Sequence, residues 1–422
     1  MTKIELLFLT ILIALIALIF YFNIHLLSGS SLQHPLALAY ELAGNSFNEP
    51  SRQWINQWMW EQGSPFKFRI LGKLPVWLTY QAFDSPTADA ALIFYNSFIF
   101  WGFVWMSATL ITLYFYLKML FKALPSTQPH HLTLSFIGCL LFLTAPPILA
   151  GFKFPVHTAP NDLLGYFLIL LGVIMILKNK PIAMCIIASI AVFCRETTLI
   201  VPFLYLITSR DTLKNRAFFS LFPVVVWVCY RVVGWEHYSA SSGAQHNFEY
   251  PYETMAFLFL VFGFLWIFSI MGFLELRKTL GANGDMWNML AKAFPWIIAL
   301  VLCINLFLAR IREIRISFII FFLIIPFAVA WVVKNTQTIK KTFQNKWFWL
   351  YILVTTFIVI RFRILMMPIS SQEHLQYLSK WAHFYDGFGG GWLNIFPFYL
   401  FIALITIPII IIKLGNRFTR KR

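Results

Sequence analysis

Arg195 and Glu196 stand side by side in the middle of an apolar stretch, PIAMCIIASIAVFCRETTLIVPFLYLIT, residues 181–208. Neighbouring positions on a helix do not face each other, so the two cannot neutralise one another, and each needs a partner from elsewhere or water. Charge inside an apolar run of this length is costly and marks a functional site by default. A guanidinium here suits two-pronged recognition of phosphate or carboxylate, and the adjoining carboxylate can orient it or its ligand. Asp162, in HTAPNDLLG (157–165), is the natural partner for Arg195. A lock joining this stretch to its neighbours would use the same residues without any ligand.

A second group is ARIREIR (309–315). On a helix Arg310 meets Glu313, while Arg312 and Arg315 share a neighbouring face, a clamp suited to a diphosphate or a lipid headgroup. In RFR (361–363), extended backbone would put Arg361 and Arg363 on one side. Carboxylates able to act as a general base are numerous, and spacing alone singles out none of them. Glu236, His237, His246 and Glu249 could in principle hold a divalent cation, although a solvated loop is the better account of them. No cofactor is implied: the chain has no P-loop, no GxGxxG and no nucleophile elbow.

These residues sit in a chain of unusual composition. Of its 422 residues 59% are hydrophobic and only 12% charged, which excludes an ordinary soluble domain. Continuous apolar runs exclude a β-barrel, whose strands alternate. The expected fold is all-α, a polytopic transmembrane bundle of about 10–13 segments forming one integral membrane domain over 1–422. The runs fall at 4–27, 88–117, 132–150, 162–177, 181–194, 197–208, 217–234, 253–275, 292–308, 316–333, 347–361 and 393–412. The first reads as an uncleaved helix, being too long for a signal-peptide core. ILGKLPVWLTYQAF (70–83), broken by Lys73 and Pro75, reads as interfacial. Outer loops are expected at 28–87, with Trp54 and Trp58 anchoring an interfacial helix, and at 362–392, opened by a Ser370–Glu373 capping box.

The stretch 181–208 has two readings. One continuous helix of 28 residues would run roughly 42 Å. A hairpin would have arms too short to cross, with Arg195 and Glu196 at its turn. With both termini cytoplasmic, the hairpin puts every short inner connection on a basic segment, as the orientation rule requires. The net charge of +16 then records that rule and gives no reason to invoke nucleic acid. Lysines dominate inside and arginines outside. The outward arginines, Arg52, Arg69, Arg195, Arg231, Arg310, Arg312, Arg315, Arg361 and Arg363, favour anion binding as a set. The five cysteines lie in apolar runs without disulfide or zinc spacing. The absence of an Asn-x-Ser/Thr sequon fits a bacterial inner membrane.

PFKFRILGKLPVWL (65–78), APNDLLGYFLILLG (159–172), CRETTLIVPFLYL (194–206) and RIREIRISFIIFFLIIP (310–326) together resemble uncharacterised bacterial membrane proteins related to GT-C glycosyltransferases. The resemblance covers most of the chain in order, through short and degenerate motifs. It implies transfer of a sugar from a polyprenyl-phosphate donor, within membrane lipid, to an envelope glycan or lipid at the periplasmic face. Arg195, Arg310, Arg312 and Arg315 would then hold donor phosphate, with Arg69, Asp162 and Glu196 ordering the cavity. Such enzymes carry a catalytic acid early in the first outer loop. Here QHPLALAYELAGN (33–45) has Gln33 and His34 where that acid is sought, which leaves Glu41, or Glu49 beyond it, as the base. A polysaccharide polymerase, a flippase for an anionic lipid-linked glycan and a non-catalytic envelope protein are the alternatives.

Overall fold

A computed structural model of the chain describes residues 2–28, 69–87, 89–145, 147–148, 159–233, 247–248, 258, 261–279, 285–307 and 314–361. Every regular element among them is helical. Helices α1 (Lys3–Ser28), α2 (Ile70–Phe83), α3 (Ala90–Ala123), α4 (His131–Leu143) and α5 (Ala159–Leu177) come first. They are followed by α6 (Pro181–Ala191), α7 (Ile200–Thr208), α8 (Leu213–Val233) and α9 (Leu265–Thr279). The last are α10 (Asp285–Phe307), α11 (Phe321–Lys334), α12 (Thr336–Gln344) and α13 (Lys346–Arg361). The expected run at 393–412, the Trp54–Trp58 segment and the Ser370–Glu373 box lie outside the described residues.

Helix is what such runs must form in lipid, because it satisfies the backbone within one segment. Two helices, Leu92–Ala123 and Met286–Phe307, are long and apolar enough to cross a membrane. Phe318–Lys334 and Thr336–Gln344, bent by 67° at their junction, would make a third if they form one span. Shorter helices also turn apolar faces outward: Ile182, Ile186 and Ile190 form one exposed stripe on α6. Such a surface suits lipid better than water.

Helix α3 is the central member, with α1, α2, α4 and α5 packed along it. Asp89 caps its start, accepting from the Leu92 amide at 3.1 Å. The closest helix pair is α9 with α11, running parallel: Phe268 stacks on Trp331 at 4.9 Å. Gly272 allows this approach, because a Cβ there would fall on the Phe327 carbonyl. Glu275 accepts from the Trp331 indole at 3.2 Å and from the Asn335 amide at 3.5 Å, so this buried acid is fixed within the pair. The Trp287 indole of α10 donates to the Leu120 carbonyl of α3 at 2.9 Å. The Tyr116 hydroxyl of α3 donates to the Phe322 carbonyl at 2.7 Å. Each of these polar atoms is buried and each is satisfied, as an apolar interior demands.

The same contacts gather basic residues at one end of the bundle. Lys118 pairs with Glu5 of α1, two residues before the Leu120–Trp287 bond. Glu5 also completes a capping box with Thr2, accepting from the Thr2 amide at 2.6 Å while Thr2 accepts from the Glu5 amide at 3.2 Å. Asn179, Arg210 and Lys292 line one pocket beside the first turns of α10.

Helix α2 is continuous through Lys73 and Pro75, the two residues that read as breaks. It packs along α3 and α5, with Gly72, Lys73, Val76 and Tyr80 buried. The proline removes one backbone donor but does not stop the helix, since Trp101 and Phe94 of α3 hold its far half through Thr79 and Tyr80. Of the cysteines, Cys139, Cys185 and Cys194 are buried, while Cys229 and Cys303 lie on the bundle surface.

Candidate functional site

The stretch 181–208 doubles back. Leu177 and Asn179 at one end, and Thr208, Ser209 and Arg210 at the other, line a single pocket, so the two ends meet. The arms α6 and α7 have 11 and 9 residues. Each is roughly 14–17 Å long, about half the apolar thickness of a bilayer.

Local backbone chemistry shapes the turn. The amides of Cys194 and Arg195 both bond back to the Ala191 carbonyl, at 2.9 and 3.0 Å, ending α6. Arg195 is extended, with φ −163° and ψ 138°, and a single 3-10 turn, Glu196–Leu199, follows it. Thr198 holds the Arg195 carbonyl with both its amide, at 3.1 Å, and its hydroxyl, at 2.6 Å. Two other helices start at this turn. The Leu71 amide, in the first turn of α2, donates to the Phe193 carbonyl at 3.1 Å. The Cys194 thiol donates to the carbonyl of Asn161, in the first turn of α5, at 2.9 Å. A Cβ on Gly72 would collide with Asn161, so only glycine lets α2 and α5 approach this closely.

Charge is concentrated where these starts converge. Arg195, only 1% exposed, forms an ion pair with Asp162, 5% exposed. Glu196 points the other way. Its Oε1 accepts from Arg69 Nη2 at 2.7 Å, and its Oε2 lies 3.4 Å from Arg231 Nη2 at the end of α8. Arg231 also lies over the Trp227 ring at 5.8 Å. Lys73, one helical turn from Arg69, is buried beside it. Four cations and two carboxylates from α2, α5, α8 and the hairpin turn therefore share one region. Arg231 and Glu196 keep the most accessible surface, at 22% and 30% of their side chains.

The region is recessed in the bundle. Fifteen positions of α5 separate Asp162 from Leu177 at the basic end, roughly 22 Å of helix. That distance is shorter than the roughly 30 Å of hydrocarbon in a bilayer. Ion pairs at such a depth add little net stability over apolar residues, but removing one partner is expensive.

The structure thus brings together Arg69, Asp162, Arg195 and Glu196. Glu41, Glu49, Arg310 and Arg312 lie outside the described residues, as do Glu236, His237, His246 and Glu249. Arg315 falls on the single turn Ile314–Ser317. Sequence reasoning missed Lys73, read as a helix interruption, and counted Arg231 among the outward arginines without assigning it to this cluster. The spacing of Arg69 and Lys73, four apart, was the available signal for a shared face. Among the described residues, no three His, Cys, Asp or Glu side chains gather as metal ligands. No protein-family model, curated protein or solved structure matches this chain.

Proposed function

We propose that the protein is a multi-pass inner-membrane glycosyltransferase of the GT-C type, moving a sugar from a polyprenyl-phosphate donor to an envelope glycan or lipid on the periplasmic side. The observation that carries this reading is the convergence of Arg69 and Arg231 on Glu196 at the turn of the hairpin. Guanidiniums from two helices, held in one recessed and partly open place, suit a phosphate group arriving from the outer leaflet. Arg195, buried and paired with Asp162, sets the turn, and Arg231 with Arg69 meets the donor phosphate. Glu41 or Glu49 takes the proton from the acceptor hydroxyl. The acceptor oxygen attacks the anomeric carbon, and the bond from that carbon to phosphate breaks, its electrons leaving with the lipid phosphate. The guanidiniums stabilise that departing charge.

The test is sugar transfer by the purified full chain across a panel of polyprenyl-phosphate sugars. Activity that falls with Arg231→Ala and with Glu41→Gln or Glu49→Gln supports the reading. An inactive wild type across the panel overturns it. Transport of an anionic lipid-linked glycan is the second reading, favoured by one observation: the break between two short apolar helices meets the start of α2, a feature shared with transporters that have interrupted helices. Wild-type movement of such a lipid between liposome leaflets, without sugar transfer, would select it.

A further inference from the structure

A bend at each end sets α12 off from the apolar helices beside it. The chain turns by 67° where Phe318–Lys334 gives way to Thr336–Gln344. Asn335 makes that turn: its amide bonds to the Trp331 and Val332 carbonyls at 3.0 and 3.2 Å, and its side-chain amide returns to Trp331 O at 2.7 Å. At the far end Asn345 caps α13, accepting from the Trp347 amide at 2.9 Å. Phe343, Phe348 and Trp349 pack ring on ring there, with centroids 5.1, 6.1 and 5.6 Å apart, and the Trp349 indole donates to the Phe343 carbonyl at 2.7 Å. We propose that α12 lies along the membrane surface and that its lysines bind the anionic lipid headgroups of that leaflet.

The sequence of the helix suits that place. TQTIKKTFQ has nine residues, roughly 14 Å of helix, far too short to cross a bilayer. Ile339 packs against the core and Thr342 is buried, while Lys340 and Lys341 are exposed. Ile339 and Phe343, four apart, share one stripe, and Lys341 falls on the opposite side. Phe343, Trp347 and Trp349 are exposed large apolar residues. Lysine on one face with aromatic and aliphatic residues on the other is the composition of a helix lying in the interface.

Charge complementarity names the occupant. Lys334, Lys340, Lys341 and Lys346 are all exposed, and no acid occurs between Glu313 and Glu373 in the sequence. Among the described residues none of the four enters an ion pair. Glu275, which meets Asn335 at the start of α12, is itself buried and accepts from Trp331 and Asn335. Lys346 lies over the Trp347 ring at 5.9 Å, so an ammonium and an aromatic belt residue share one level. Further along α13, Leu350, Leu353 and Phe357 are exposed, a surface that suits lipid. The lysines therefore stand where the lipid-facing surface ends, at the level of headgroups. The orientation rule makes that leaflet the cytoplasmic one, where anionic lipids attract basic segments beside the membrane.

The experiment uses the full chain in phosphatidylcholine vesicles, with the exposed Cys229 and Cys303 replaced by alanine and a fluorophore on Gln344→Cys, an exposed position at the end of α12. Phosphatidylglycerol and phosphatidylcholine, each with a nitroxide high on its acyl chain, are titrated as quenchers in separate arms. Phosphatidylglycerol should quench at the lower mole fraction, with the preference shrinking as salt rises. Lys340→Gln and Lys341→Gln alter exposed side chains outside the core. Each should raise the phosphatidylglycerol fraction at half-quenching about fivefold, the usual worth of one basic residue at an anionic surface. A fluorophore on Ile190→Cys, in the exposed stripe of α6, should show no preference between the lipids. Equal quenching by both lipids at Gln344→Cys overturns the proposal, as does a preference that the double lysine variant retains or that Ile190→Cys shows equally. Quenching by neither lipid would place α12 in water and also overturn it. So would loss of quenching on adding polyglutamate, which would assign the lysines to an acidic protein. Sugar transfer enters none of these readouts, so the surface stands or falls apart from the proposed enzyme.

Discussion

Arg195 and Glu196 are covalent neighbours whose side chains enter different ion pairs: Arg195 closes on Asp162 of α5, and Glu196 lies between Arg69 and Arg231. The extended backbone at Arg195 sends successive side chains to opposite sides. One short turn is thereby fastened to three other segments of the chain.

Asp162→Ala strands the Arg195 charge in the interior and should cost about 3–5 kcal/mol. Replacing both, Arg195→Met with Asp162→Leu, should cost less than either single change. Unfolding in mixed micelles measures all of them. Single and double losses that simply add would deny the coupling.

Arg231 behaves differently because its side chain is partly solvated. Arg231→Ala should change stability by less than about 1 kcal/mol and lower sugar transfer by at least tenfold. A destabilisation as large as that of Asp162→Ala would assign Arg231 a structural role.

The doubled-back hairpin predicts a short distance between its ends. Spin labels at Asn179→Cys and Arg210→Cys, in a chain with its native cysteines replaced, should lie within about 20 Å. A single crossing helix would separate them by roughly 46 Å. Pulsed electron resonance distinguishes the two.

Gly272→Ala should destabilise the α9–α11 pair by about 1–3 kcal/mol. The new methyl meets the Phe327 backbone, which cannot turn aside as a side chain could. Gly172→Ala is the milder control, since its nearest neighbour is the Val201 side chain at 2.6 Å. Thermal unfolding of the two variants gives the order.

Much of the helical layout was legible because lipid-length apolar runs leave the backbone few alternatives. The runs at 162–177, 181–194 and 197–208 correspond to α5, α6 and α7 with shifts of a few residues at their ends. The Asp162–Arg195 contact was also legible, because an unaccompanied guanidinium in an apolar run needs an acid and Asp162 opens the preceding run. The Arg69–Glu196 pair was not, since 127 residues separate the partners and nothing local records their meeting. Lys73 misled for a related reason. A lysine in a weak apolar helix normally marks the water boundary, whereas the packing of α2 on α3 and α5 buries this one. Cys194 read as a small apolar filler, yet its thiol ties the turn to α5.

The short arms of the hairpin have a consequence for how the protein enters the membrane. Neither α6 nor α7 is long enough to be inserted as an independent span, and the charges between them would resist insertion. Arg69 and Asp162 precede the hairpin in the chain and Arg231 follows it, so during synthesis most of the neutralising groups are already made when the turn emerges. The hairpin is therefore laid against finished helices, and only the arrival of α8 completes its set of charges.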